Sequence, residues 1–414
     1  MNDVYIVSAG MTKFRKHNYD EDFRLMVKRA FDYALNDADI THKDMDGSVS
    51  AYFSDHIQGQ LIAGAMTNDY IGLATKPSKR IEGGGATGGL AFQAGYEEIA
   101  SGNMETCAVY GFESMSHLNT WKGNDVIALG SDSNFDYPLG GFYTAYYALM
   151  ATRHMHEFGT TPEQMAMVSV KNHGNAMHNP FAQSPMKITV DDVLKSPMVA
   201  TPLTMLDISL MSDGAACVIL ASEERAKSLC KNPVKIRAIG SSSDTMRLSD
   251  RPFGKVPLLP NESKDDYKNL KYPGVHSFRA GRIAAKMAYE RANINDPLKE
   301  IDFAELYDSY TSAEIQAYED LGFCKYGEGG KFIEKGYSEI NNKLPVNPEG
   351  GLIASGHAIG ATGIMQAVYA FWQLQHSVKK HLKNGKLQVE NAKRGVIHSH
   401  AGTGAYETVS ILER

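Results

Sequence analysis

The alternation of apolar and polar positions divides the chain into strands and helices that recur in the same order. VYIVSAG (4–10) reads as an opening strand, and DFRLMVKRAFDYALNDA (22–38) carries apolar residues at three- and four-residue spacing, the signature of an amphipathic helix. A helix of small residues is predicted over about 87–101 and a continuous apolar strand over 106–113 (TCAVYGFE). Strands that are apolar throughout, alternating with helices, point to an α/β fold with buried parallel strands. From about 114 to 205 the chain becomes rich in aromatic residues, His, Asn and Pro, and reads as a long helical insertion rather than sheet. SDGAACVILASEERAKSL (212–229) then reads as strand and helix.

A second series begins at 234 with VKIRAIGSS, a strand of the opening type. It continues through 301–323 (strand, loop, helix), 350–375 (glycine loop, apolar helix) and 393–412 (strand, glycine turn, strand). Each series sends a glycine-rich loop into a buried helix and then a closing strand. The expectation is a duplicated α/β unit, with residues 1–231 as one half, including a loop domain at about 114–205, and 232–414 as the other.

Composition narrows the class. With 43% hydrophobic and 22% charged residues the 414-residue chain is globular, and a formal charge of −6 without any basic run argues against a nucleic-acid partner. Cys107, Cys217, Cys230 and Cys324 form no C-x-x-C pair, so no zinc pattern and no other metal ligands are expected, and reduced thiols fit a cytoplasmic location. The segment 350–375 lacks Asp, Glu, Lys and Arg, but its five glycines, His357 and three glutamines favour a buried helix over a membrane span.

Four stretches carry candidate chemistry. GGGATGG (83–89) matches G-x-G-x-x-G through Gly83, Gly85 and Gly88, but the preceding ATKPSKRIE is charged and holds Pro77 where a dinucleotide fold needs a strand. Close helix packing, or a helix N-terminus offering its amides to an anion or oxyanion, are the competing readings. In SGHAIGATG, His357 lies between glycines and is open to close approach; ELYDSYT (305–311) places Tyr307, Asp308 and Ser309 at a strand end; HSHAGTG (398–404) sets His398 and His400 before a glycine turn. Each taken alone fits structural packing as well as catalysis.

GGLIASGHAIGATG resembles the thiolase superfamily's C-terminal signature, and SDGAACVIL, EDLGFCKYGEGGKF and HEFGTTPEQMAMVSVKNHGNA resemble its sterol-carrier-type and archaeal acetyl-CoA acetyltransferase branch. The resemblance implies a thiolase fold of two βαβαβαββ halves in an α/β/α/β/α arrangement and a homodimer. It also implies a small OB-fold, zinc-ribbon accessory protein, and C–C bond making or breaking β to a CoA thioester. No cofactor is implied beyond coenzyme A as a substrate. The family's nucleophile is a cysteine at the start of the first buried helix, and that position falls on Gly85. The second family cysteine falls on Ser309 or His398, depending on the branch, so both thiols are missing while His357 is retained.

The resemblance assigns His357, Tyr307 and His398 as catalytic, the backbone amides of Gly85 and His400 as an oxyanion hole, and Ser209 and Ser309 as substrate or CoA contacts. Thr87 lacks a base to make it a nucleophile. Three functions follow. The first is CoA-dependent thiolysis without a cysteinyl acyl-enzyme, with Gly85 opening room for a bulky acyl group. The others are retro-aldol cleavage of a β-hydroxyacyl-CoA, and acyl-CoA binding without catalysis.

Overall fold

A computed structural model describes residues 2–18, 20–251, 254–272 and 274–414. Nine strands form the main sheet: β1 (Val4–Met11), β2 (Gly47–Ala51), β3 (Ser78–Ile81), β4 (Thr106–Glu113), β5 (Gly214–Ser222), β6 (Val234–Ser243), β7 (Phe303–Glu305), β8 (Arg394–Ala401) and β9 (Tyr406–Glu413). Their order is β7-β8-β9-β6-β1-β5-β4-β2-β3. β1 and β6 are the opening strands of the two series, and they meet antiparallel, Tyr5 opposite Lys235. On one side of that seam the order is opening strand, closing strand β5, then β4, β2 and β3; on the other it is opening strand, closing strand β9, then β8 and β7. The counterpart of β3 is reduced to a single parallel bridge between Ala304 and Val346. The duplication is therefore real at the level of topology.

Helices complete the layers. α1 (Phe23–Ala38) covers β1, β4 and β5 on one outer face, and α5 (Arg279–Ala292) covers β6 and β9 on the other. Between the two half-sheets lie α2 (Thr87–Ala100) and α7 (Ile359–Leu374), packed on each other; α7 also touches β1, β4, β5 and β8. Every residue of α7 is buried, which is why its sequence tolerates no charge. The insertion after β4 supplies α3 (Tyr143–Phe158) and α4 (Pro162–Ala176), and α6 (Thr311–Asp320) follows β7.

Two expectations need correction. A strand does precede the glycine loop: β3 runs parallel to β2 directly before it. It is an edge strand with Ser78, Lys79 and Arg80 exposed, and edge positions tolerate charge and a flanking proline. The insertion is also not purely helical, since Met198–Ala200 and Leu203–Thr204 form a short antiparallel ribbon. Among the described residues no helix is long and apolar enough to cross a membrane.

Candidate active site

The glycine loop forms a tight turn in which the amides of Ala86 and Thr87 bond the carbonyls of Gly83 and Gly84. Thr87 is committed to the turn: its Oγ1 donates to the Gly84 carbonyl at 2.6 Å and accepts from the Gly83 amide at 3.0 Å. A Cβ placed on Gly88 would lie 2.6 Å from the Gly363 nitrogen, so here glycine lets α2 and α7 cross at backbone contact. Gly85 is different. A Cβ there would lie 2.8 Å from the Tyr307 hydroxyl and 2.5 Å from the His400 carbonyl oxygen. The volume that a side chain at 85 would need is filled by Tyr307, which corrects the expectation that glycine opens room for a bulky acyl group.

Tyr307 follows β7 and is 2% exposed. Burial holds its phenol well above the usual tyrosine range, and the Glu113 and Asp308 carboxyls push the same way. The next residue fixes the facing loop. Asp308 accepts from the Leu352 amide at 2.6 Å and the Asn172 side chain of α4 at 2.7 Å, capping the short helix Gly351–Ser355. Gly356, at φ +107°, then turns the chain so that the His357 amide donates to Ser212 Oγ at 2.8 Å.

The tautomer of His357 follows from its neighbours. Thr362 Oγ1 spends its only proton on the Ala358 carbonyl at 2.9 Å, so it accepts from His357 Nδ1, also at 2.9 Å. That leaves Nε2 with a lone pair, 3.3 Å from the Tyr307 hydroxyl. Burial lowers the imidazole pKa to about 4, so the ring is neutral at neutral pH, with a free lone pair but a weaker proton affinity than an exposed imidazole.

His400 joins this pair, its ring centroid 4.8 Å from that of Tyr307 and 4.7 Å from that of Phe278. Tyr147 of α3 reaches in from the insertion, its hydroxyl 2.5 Å from His400 Nε2 and 2.6 Å from the Gly402 carbonyl. His398 is turned elsewhere: its Nε2 lies 2.7 Å from Glu407 Oε2. The Ser209 amide donates to the Ser309 carbonyl at 3.0 Å, which places the two serines side by side at the edge of the cluster. The structure thus gathers Gly85, Tyr307, His357 and His400, with Ser209 and Ser309 adjacent, and leaves His398 one step removed.

Sequence reasoning missed Glu113. Buried at the end of β4, it accepts from the Phe53 and Gly360 amides at 2.9 Å each and from Gln58, so it holds the N-terminus of α7. Burial raises its pKa to about 7 against those bonds. A carboxylate closing an otherwise apolar strand was the available signal. Tyr147 and Glu407 gave none. No cysteine is poised as a thiolate: Cys107 and Cys217 are buried in β4 and β5, burial raises the thiol of Cys107 to about 12, and it pushes those of Cys217, Cys230 and Cys324 in the same direction.

A thiolase N-terminal domain matches residues 4–224 and a thiolase C-terminal domain-like region matches 263–414. The chain belongs to the thiolase superfamily, in its sterol-carrier and archaeal branch. The acetyl-CoA acetyltransferase of Methanothermobacter thermautotrophicus is 38% identical over the whole of both chains. Sterol carrier protein 2 of Oryctolagus cuniculus is 30% identical over 99% of this chain and 72% of its own. Among solved structures, an Ltp2-ChsH2(DUF35) aldolase superposes with a TM-score of 0.80 at 24% identity, covering 99% of this chain and 97% of that one, a likeness of fold.

Proposed function

We propose that the protein makes or breaks the C–C bond β to a CoA thioester without a covalent acyl-enzyme, and that it does so by aldol chemistry on a β-hydroxyacyl-CoA. The observation that carries this reading is the Tyr307 hydroxyl in the volume that a side chain at 85 would need, 3.3 Å from the unprotonated His357 Nε2. In cleavage, the substrate's β-hydroxyl proton passes to Tyr307 as Tyr307 passes its own to His357. The O–H electron pair becomes the carbonyl of the departing aldehyde or ketone. The Cα–Cβ bond breaks, and its electrons form a thioester enolate. The backbone amides of Gly85, at a helix N-terminus, and of His400 would hold the enolate oxygen. Protonation at Cα by the charged Tyr307–His357 pair releases the shortened acyl-CoA.

A second reading, CoA-dependent thiolysis of a β-ketoacyl-CoA, is favoured by the 38% identity to an acetyl-CoA acetyltransferase. Without an acyl-enzyme, however, a second CoA thiol would have to reach the β-carbonyl while the substrate's own CoA chain is bound two carbons away, in a site already narrowed by Tyr307. The homodimer and the small OB-fold, zinc-ribbon subunit implied by the sequence remain part of the proposal.

The test is incubation, with and without that subunit, with β-hydroxyacyl-CoA thioesters, and separately with β-ketoacyl-CoA plus CoA. Release of aldehyde or ketone is expected, falling about 10²- to 10⁴-fold in Tyr307→Phe and His357→Ala. CoA-dependent cleavage alone would establish thiolysis instead. No turnover with either substrate, from folded protein that still binds acyl-CoA, would establish a binding subunit. An acyl adduct in the intact mass would overturn the non-covalent mechanism altogether.

A further inference from the structure

The β8–β9 hairpin holds a cluster of side chains that the reaction above does not use. His398 and His400 are two apart on β8 and so share a face, and Glu407 is the cross-strand partner of His400. The three are 1%, 1% and 0% exposed. Each offers a ligand atom, and these atoms lie within 4.8 Å of one another. Three atoms of these side chains are buried with no hydrogen-bond partner: Nδ1 of His398, Nδ1 of His400 and Oε1 of Glu407. A single orphaned polar atom in a protein interior is costly, and three in one cluster call for a common cause.

We propose that His398, His400 and Glu407 bind a divalent first-row transition-metal ion. Two imidazoles and one carboxylate suit Zn²⁺, Co²⁺, Fe²⁺ or Mn²⁺ and disfavour Ca²⁺ and Mg²⁺, which prefer all-oxygen sets. Metal–ligand bonds of about 2.0–2.2 Å put donor atoms about 3–3.5 Å apart. The three donor atoms, spread over as much as 4.8 Å, therefore draw together around the ion. Bare backbone faces the cluster from α5: a Cβ on Gly281 would lie 3.2 Å from Glu407 Oε2 and 3.6 Å from His398 Nε2. Arg251 is the nearby cation: it bonds the Thr403 carbonyl at 2.8 Å and lies 3.7 Å from Asp244, and its charge favours the carboxylate form of Glu407. Three of the ion's positions come from the protein, which leaves it coordinatively open to water or a ligand. The site uses the His400 side chain, whereas the proposed reaction uses only the backbone amide of that residue, so metal binding is tested apart from the aldol reading.

Why the sequence hid the site is clear. His-x-His is a weak signal, and the carboxylate lies across a turn whose register no spacing reveals.

The test is metal binding rather than turnover. Protein stripped with chelator is titrated with Co²⁺ and Zn²⁺. The expected result is one ion per chain, with visible Co²⁺ ligand-field bands, weakened about 100-fold or more in Glu407→Gln and His398→Ala. Circular dichroism checks that both variants fold, and anomalous scattering from wild-type crystals grown with Co²⁺ gives a peak among the three side chains. Binding well below one ion per chain would overturn the proposal. So would binding that survives both substitutions, or a water without anomalous signal among the three side chains in crystals grown with Co²⁺.

Discussion

Placing a cysteine at position 85 tests the fit between Gly85 and Tyr307 directly. Gly85→Cys adds a Cβ 2.5 Å from the His400 carbonyl and 2.8 Å from the Tyr307 hydroxyl, where ordinary contact begins near 3.4 Å. A strand carbonyl and a buried ring must each retreat by several tenths of an ångström, and overpacking of this kind costs about 1–3 kcal/mol. Unfolding entropy of about 2.1 cal/mol/K per residue makes 1 kcal/mol worth about 1 °C for a cooperative unit of this length. The expected loss in Tm is thus about 1–3 °C, within the resolution of scanning calorimetry. In a Tyr307→Ala background the hydroxyl and ring are gone and only the carbonyl clash remains. The penalty for Gly85→Cys then shrinks, with a coupling of about 1 kcal/mol between the two sites. The new thiol, capped by Tyr307 in the single variant, is alkylated by iodoacetamide in the double variant, as peptide mapping will show. An equal Tm loss and equal alkylation in both backgrounds would refute the claim that Tyr307 occupies the side-chain volume at 85.

Two further outcomes follow from buried charge. His276 is fully buried between Phe158 and Tyr326, its ring nitrogens unpartnered, and burial, followed by the neighbouring His154, lowers its pKa to about 3. The unfolded chain protonates this residue below about 6.5 and the native state does not, so stability is undiminished above 6.5 and lost as pH falls toward 3. His276→Phe removes that loss, and urea unfolding should show the variant gaining about 2 kcal/mol on wild type between pH 7.5 and pH 5. Glu113→Ala strands three buried donors, from Phe53, Gly360 and Gln58, and should cost about 3 kcal/mol or more in urea unfolding, with Glu113→Gln losing less because it keeps an acceptor.

Much of the fold was legible because burial writes itself into periodicity. The amphipathic repeat of α1, the charge-free run of α7 and the apolar β4 each have a counterpart in the structure. β3 escaped because an edge strand with one paired side has no buried pattern to display. The candidate site was legible only one loop at a time. That Tyr307 lies against Gly85, that Tyr147 reaches His400 from the insertion, and that Glu407 faces His398 are all contacts between segments far apart in sequence or set by strand register.

The surroundings of Gly85 also bear on whether the site is a remnant. Loss of a side chain without compensation leaves a void, and voids in a packed interior are destabilising in proportion to their volume. Here the volume holds a hydroxyl, and the groups around that hydroxyl are held in definite states. Thr362 sets the His357 tautomer so that its lone pair faces Tyr307. Asp308, beside Tyr307 in sequence, caps the helix that leads to His357. Glu113 ties the first turn of α7 to the end of β4. Polar groups buried at this density are destabilising unless satisfied, and a site retained only for packing would be served as well by apolar residues of the same volume. A hydroxyl 3.3 Å from an imidazole lone pair, beside two helix N-termini, is the arrangement that the proposed proton relay needs next to a developing negative charge.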